Sequence, residues 1–228
     1  MSLIVGGAGS TLVPAAKDFL KAASAPITAE VSATIDDMFS LRRERRIERA
    51  ALRAAEKVRD AGRTVVSVPD RTLVPLLEGA AREDDAALTE LWASLLATAS
   101  ASGGPEVSPY FPTILGRLTP FDAHVLRAII DAEEHRDRSK LDWSERQGVA
   151  IVDQRDIWGR LNEVWPEATS DAMELSLEML AAWGLLELNG VLEKLPRELV
   201  LGQGTVVLSM LGRRFIRACQ GPTAAAAP

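Results

Sequence analysis

A long amphipathic run at residues 41–63, "LRRERRIERAALRAAEKVRDAGR", constrains the fold of this chain most strongly. Apolar side chains recur every three or four residues from Ile47 to Val58, with charged side chains between them. An α-helix turns once in about 3.6 residues, so this spacing places the apolar set on one face. We therefore predict a helix from about Thr28 to Ala61 that ends at Gly62 and buries this face against other helices.

Composition narrows the classes of protein that the chain can belong to. The 228 residues are 47% hydrophobic but only 5% aromatic, and the net charge is −6. This balance favours helices packed on helices and argues against general nucleic-acid affinity. One cysteine, Cys219, excludes a disulfide within the chain. No basic signal region and no spanning run of about 18 apolar residues is visible, so we expect a cytoplasmic protein.

The opening stretch, "LIVGGAGSTLVPAAKDFLKAA", has glycines after a short apolar run, as the phosphate-binding turn of a nucleotide site does. A dinucleotide turn needs a third glycine where Leu12 stands, and a P-loop needs a lysine that does not follow Gly9. We therefore reject a phosphate loop and predict a helix from Leu12 to Ala25, interrupted at Pro26. Residues 1–16 carry no charge. Several copies of this segment would line a membrane pore in one hypothesis, and in the other the helix packs on the core.

The middle of the chain predicts two helices and then a linker. The stretch "TLVPLLEGAAREDDAALTELWASLLATAS" reads as two helices that meet near Glu83, the second beginning at Asp84 or Asp85. "ASASGGPEVSP" follows, and its small, Gly- and Pro-rich composition is typical of a domain boundary. We predict an N-terminal helical region over residues 1–100.

The second half predicts a winged-helix-like domain over residues 105–220. Thr119, Pro120 and Asp122 have the spacing of a helix start with a capping box. "QRDIWGRLNEVWP" and "DAMELSLEMLAAWG" predict two more helices, the second ending at Gly184. "LLEL" and "TVVLS" predict a two-stranded ribbon before a closing helix. The predicted fold class is mostly α, with a short two-stranded ribbon in an α+β C-terminal domain and a disordered tail at 221–228.

The helix before the ribbon argues against DNA recognition. In a winged-helix protein this helix enters the major groove. Here it carries Asp171, Glu174 and Glu178 but neither lysine nor arginine. Affinity for DNA depends largely on neutralising phosphates, so specific DNA binding is not expected, and a protein-binding or oligomerisation module is the better interpretation.

Basic residues outnumber acidic ones nine to four between Leu41 and Arg63. Three interpretations remain open: a solvated helix face with internal Glu–Arg pairs, an anchor for anionic lipid headgroups, or a pocket for an anionic signal. The candidate residues for anion or lipid contact recur at helical spacing: Arg42, Arg46, Arg49, Arg53 and Lys57.

No catalytic, metal or cofactor site is predicted. His124 and His135 lack ligands at helical spacing, so surface histidines are the better interpretation. Cys219 lies in an apolar helix and is predicted to be a small buried side chain. Acidic residues form no pair that stands out as general acid and base.

Several stretches together resemble the abortive-infection alpha family of bacterial phage-defence proteins. They are "LVPAAKDFLKAASAP", "LVPLLEGAAREDDAALTELWASLLATA", "SPYFPTILGRLTPFDAHVL", "AAWGLLEL" and "LGRRFIRAC", within residues 11–220. The resemblance implies a role in defence, in which infection ends in growth arrest or death of the host cell.

The function that we predict is a non-enzymatic effector that is toxic by oligomeric membrane or pore action when released. The alternative is a soluble adaptor or winged-helix regulator that binds a partner protein or nucleic acid. We expect a homo-oligomer that associates with the inner membrane on activation, and a regulatory partner protein or an anionic signal as a further partner. The predicted membrane or pore segment consists of Val13, Lys17, Phe19, Leu20, Lys21 and Ser24.

Overall fold

The computed structural model describes residues 14–23, 41–103, 107–134, 151–189 and 204–224. These residues form two compact units, and the mostly helical fold class is confirmed. One unit comprises the described residues up to Leu115 and those from Ala218 onwards, and the other spans Gly116–Arg217.

Five helices form the first unit: α1 (Pro14–Ala23), α2 (Leu41–Asp60), α3 (Asp70–Arg82), α4 (Ala86–Ser100) and α5 (Phe111–Leu115). Helix α4 is buried over most of its length, since every residue from Trp92 to Thr98 is buried. A helix that is apolar on all sides needs partners on all sides, and α2, α3 and α5 supply them. Helix α1 packs on α2.

Local signals in the sequence set the ends of these helices. Gly62 has φ +65°, and this left-handed residue lets the Arg63 N–H donate to the Val58 carbonyl and close α2. Asp85 caps α4, because its carboxylate accepts from the N–H groups of Ala87 and Leu88. The predicted ends near Gly62 and Glu83 are therefore confirmed, whereas the predicted start at Thr28 lies outside the described residues.

The second unit has the element order of a winged helix. It contains α6 (Pro120–Glu134), β1 (Ile151–Asp153), α7 (Gln154–Val164), α8 (Ser170–Ala182), β2 (Leu186–Asn189) and β3 (Thr205–Leu208), and α9 (Met210–Cys219) begins in it. The sheet is antiparallel with strand order β1-β3-β2. Helices α7 and α8 follow one another across a short turn, in the order of a helix-turn-helix, and α8 packs on both α6 and β2.

The sheet has one strand more than the sequence predicted. The two predicted strands form β2 and β3, but β1 joins them through the register Ile151–Val207. Three residues are too few to show the alternation that marks a strand, so β1 is specified by its pairing rather than by its own pattern.

A buried hydrogen-bond network joins α6 to α8. The Thr119 N–H donates to Asp122 Oδ2 over 2.8 Å, and the Asp122 N–H donates to Thr119 Oγ1 over 3.1 Å, which completes the predicted capping box. The other oxygen of the same carboxylate accepts from Ser176 Oγ on α8 at 2.5 Å. One side chain therefore both starts α6 and orients α8.

Candidate functional site

The exposed face of α8, the helix in the groove-reading position of the helix-turn-helix pair, is the candidate site. Its inward face is set by Met173, Leu177 and Leu180, which are all buried. The turn before it places Thr169 at the cap, where its hydroxyl accepts from the Ala172 N–H. Side chains on the other side of this helix, such as Leu175 and Glu178, are exposed.

Acidic and apolar side chains share this exposed face. Leu175 is 60% exposed and Met179 is 39% exposed, one helical turn apart. At about 100° per residue, both lie beside a row formed by Asp171, Glu174 and Glu178. Asp171 and Glu178 are exposed and Glu174 is half-buried. We call these five residues the α8 face.

From the sequence, the three carboxylates of the α8 face were evidence against DNA binding, and none of its five residues was predicted as a site residue. The signal was available, because the apolar positions 173, 177 and 180 have the spacing of one buried face. Leu175 and Met179 fall outside that face, so they were candidates for exposed apolar residues.

The predicted arginine row on α2 separates into two sets in the structure. One set pairs with carboxylates just before or within α4: Arg46 Nη2 lies 3.2 Å from Asp84 Oδ2, and Arg53 Nη1 lies 2.8 Å from Glu90 Oε2. Lys57 Nζ lies 2.6 Å from the other oxygen of Glu90. These pairs link α2 to neighbouring segments, and along α2 itself Arg59 Nε lies 3.5 Å from Asp60 Oδ1.

Glu90 forms ion pairs with two of these basic residues, Arg53 and Lys57. Its partial burial favours the neutral acid, but the hydrogen bond and charge of Lys57 and those of Arg53 outweigh that effect. The pKa of Glu90 therefore lies below its ordinary value of 4.5, and the carboxylate is ionised at neutral pH.

The second set of basic side chains on α2 faces solvent. Arg49, a predicted site residue, is exposed, and so is Arg45 one turn before it. No ion pair joins either of them to another side chain in the described ranges. Arg42 lies in α2, but its side chain is outside the described set.

The predicted membrane segment falls partly on α1. Phe19 is only 4% exposed, and Ala16 and Ala23 on the same side are fully buried. Leu20 is half-buried and Lys21 is exposed. Lys17 lies within the helix without a described side chain, and Val13 and Ser24 lie outside the described residues.

Among the described helices, none combines the length and the apolar character needed to cross a bilayer. Within the same residues, no group of three or more His, Cys, Asp or Glu side chains is placed to hold a metal ion. His124 is half-buried with its ring centroid 5.0 Å from that of Trp165, and His135 is outside the described set. Cys219 is buried, as predicted, and burial raises the pKa of its thiol.

Comparison with known proteins identifies the family. A family model described as abortive infection alpha matches residues 42–219, which include all of α2 except its first residue and both helices α7 and α8. No curated protein and no solved structure matches the chain. Because the match covers well over half of the sequence, this chain belongs to the abortive infection alpha family.

Proposed function

We propose that this chain acts in abortive phage defence as a non-enzymatic protein, and that its helix-turn-helix unit binds a protein partner through the α8 face. The observation that carries the proposal is the pair Leu175 and Met179, held toward solvent beside three carboxylates. Family membership supports the defence role.

The chemistry of the α8 face favours protein over DNA as the ligand. A carboxylate row facing a phosphate backbone is repelled by it, and such a helix releases no counterions on binding. Exposed methionine and leucine, in contrast, supply the adaptable apolar centre that protein interfaces use. The rim of carboxylates then selects a partner that presents basic side chains.

A phage-protection assay with surface variants tests this proposal. The double variant Leu175→Glu, Met179→Glu keeps good helix propensity but removes the apolar centre, and we expect it to lose protection. Val164→Glu is the matched control, because Val164 is also 60% exposed and lies at the end of α7. Circular dichroism checks that all variants fold, and full protection by the folded double variant would refute the proposal.

DNA binding by the full-length protein supplies an independent check. We expect only weak, non-specific binding to duplex DNA at physiological salt, measured by fluorescence anisotropy. A sub-micromolar affinity that depends on DNA sequence would instead favour a winged-helix regulator.

Membrane action is a second candidate function, favoured by the amphipathic character of α1. Its apolar face, with Ala16, Phe19 and Ala23, packs on α2, and the Val68 N–H donates to the Ala23 carbonyl at 2.7 Å. We propose that release of α1 exposes this face, and that several copies then act on the inner membrane.

Truncation and leakage assays test the membrane candidate. Deleting residues 2–25 is expected to abolish toxicity on overexpression while circular dichroism still reports a helical protein, and the intact chain is expected to release dye from liposomes. Full toxicity from the truncated protein, with no leakage caused by the intact one, would show that α1 serves only in packing.

A further inference from the structure

A basic surface on α2 matches the α8 face in its spacing. Arg45 and Arg49 are both exposed and lie four residues apart, which places their Cα atoms about 6 Å apart along the helix. Leu52, half-buried, follows Arg49 by three residues and therefore lies on the same side of α2. We call these three residues the α2 surface.

The α8 face presents the opposite charges at the same interval. Glu174 and Glu178 are also four residues apart, so two helices packed side by side bring each carboxylate opposite one guanidinium. Leu175 and Met179 lie next to this acidic row, as Leu52 lies next to the basic pair. Arg45 and Arg49 are thus complementary in charge to Glu174 and Glu178, while Glu48 and Glu56 share the side of α2 on which Leu52 lies.

The contacts that α2 and α8 make with other described residues leave both surfaces available. The ion pairs that α2 makes with neighbouring segments use Arg46, Arg53 and Lys57, so Arg45 and Arg49 are not required for them. On α8, the hydrogen bond to α6 uses Ser176, which is buried and is not part of the α8 face.

We propose that a second copy of this chain occupies the α8 face, with the α2 surface of one copy docked on α8 of the other. This inference rests on the proposed function, because it names the partner that the α8 face binds. Each chain carries both surfaces, so the contact is made twice in a closed pair or repeated along an open assembly.

Reversing the charges of the full-length chain tests this pairing. Sedimentation and light scattering over a range of concentrations are expected to show self-association of the wild type that weakens as salt rises. Glu174→Arg, Glu178→Arg is expected to weaken it at least about tenfold, and Arg45→Glu, Arg49→Glu by a similar factor, because each places like charges opposite one another. Arg43→Glu changes an exposed charge about 200° around α2 from Arg45 and is the matched control.

Mixing the two charge-reversed proteins gives the decisive result. In the mixture every α8 face again meets an α2 surface of opposite charge, so association is expected to return to near the wild-type level. A wild type that stays monomeric at all concentrations, or a mixture that fails to associate, would overturn the inference. Loss of phage protection by the Leu175 and Met179 variant would still support a different protein as partner, whereas retained protection would refute the proposed function itself.

Discussion

Replacing Gly79 with alanine tests how closely α3 packs on α4. A methyl group at this position would overlap three carbons of the Trp92 indole ring, far inside van der Waals contact. Trp92 is only 2% exposed, so the ring has no solvent into which it can turn. The glycine is therefore required for the close approach of the two helices and not for a special backbone conformation.

The expected size of the effect follows from two opposing contributions. Alanine favours a helix over glycine by about 1 kcal/mol. Overpacking a core costs about 1–3 kcal/mol, and overlap with three atoms of a buried ring places this change at the upper end of that range. We therefore expect Gly79→Ala to lower the free energy of unfolding by about 2 kcal/mol, and a Tm lower by about 4–8 °C in a chain of this size.

Gly159→Ala is the matched control, because Gly159 lies within α7 and an added methyl group there meets no atom within 4 Å. This variant is expected to gain about 0.5–1 kcal/mol from helix propensity alone. Both variants are compared with the wild type by urea and thermal unfolding. A Gly79→Ala protein as stable as the wild type would refute the described packing of α3 on Trp92.

Three further predictions concern polar and titratable groups. Asp122→Ala is expected to lower the free energy of unfolding by about 2–4 kcal/mol, because it removes a helix cap and leaves Ser176 without its acceptor. Urea unfolding measures this difference, and a change below about 1 kcal/mol would contradict the role of Asp122. Glu90→Gln is expected to cost about 1 kcal/mol at pH 7, a value reduced for solvent screening. Because folding lowers the pKa of Glu90, this stabilisation is present above pH 4.5 and is lost as the pH falls through the pKa of the folded protein. The difference in stability between the wild type and Glu90→Gln therefore disappears in acid. Cys219 is buried and its thiol pKa is raised, so a thiol reagent is expected to modify it only after denaturation, and rapid labelling of the native protein would contradict that.

The sequence predicted those features that neighbouring residues determine. The capping box at Thr119 and Asp122, the cap at Asp85 and the stop at Gly184 each depend on contacts within a few residues. Gly184 has φ +76°, a conformation that glycine adopts without strain, so its position after an apolar helical run was sufficient to predict the end of α8.

Features that depend on distant residues were not predictable in this way. Strand β1 pairs Ile151 with Val207, which lies more than fifty residues further along the chain. The partners of Arg46 and Arg53 are Asp84 and Glu90, on segments that only the tertiary fold brings to α2. Helical spacing shows which charges share a face but not which face meets a neighbouring helix, so a pairing along α2 was the natural expectation.

For the same reason, only the charged residues of the α8 face could be recognised from the sequence. A row of carboxylates can be recognised from the sequence, because the residue type determines the charge and helical spacing places the residues in a row. An exposed leucine is recognisable only once the buried face of its helix is known, and for α8 that face is fixed by Ser176 against Asp122 and by Leu180 in the core. The position of a buried or paired side chain follows from its contacts with other residues of the chain. For Leu175 and Met179, which the fold leaves exposed beside three carboxylates, we propose burial against a protein partner.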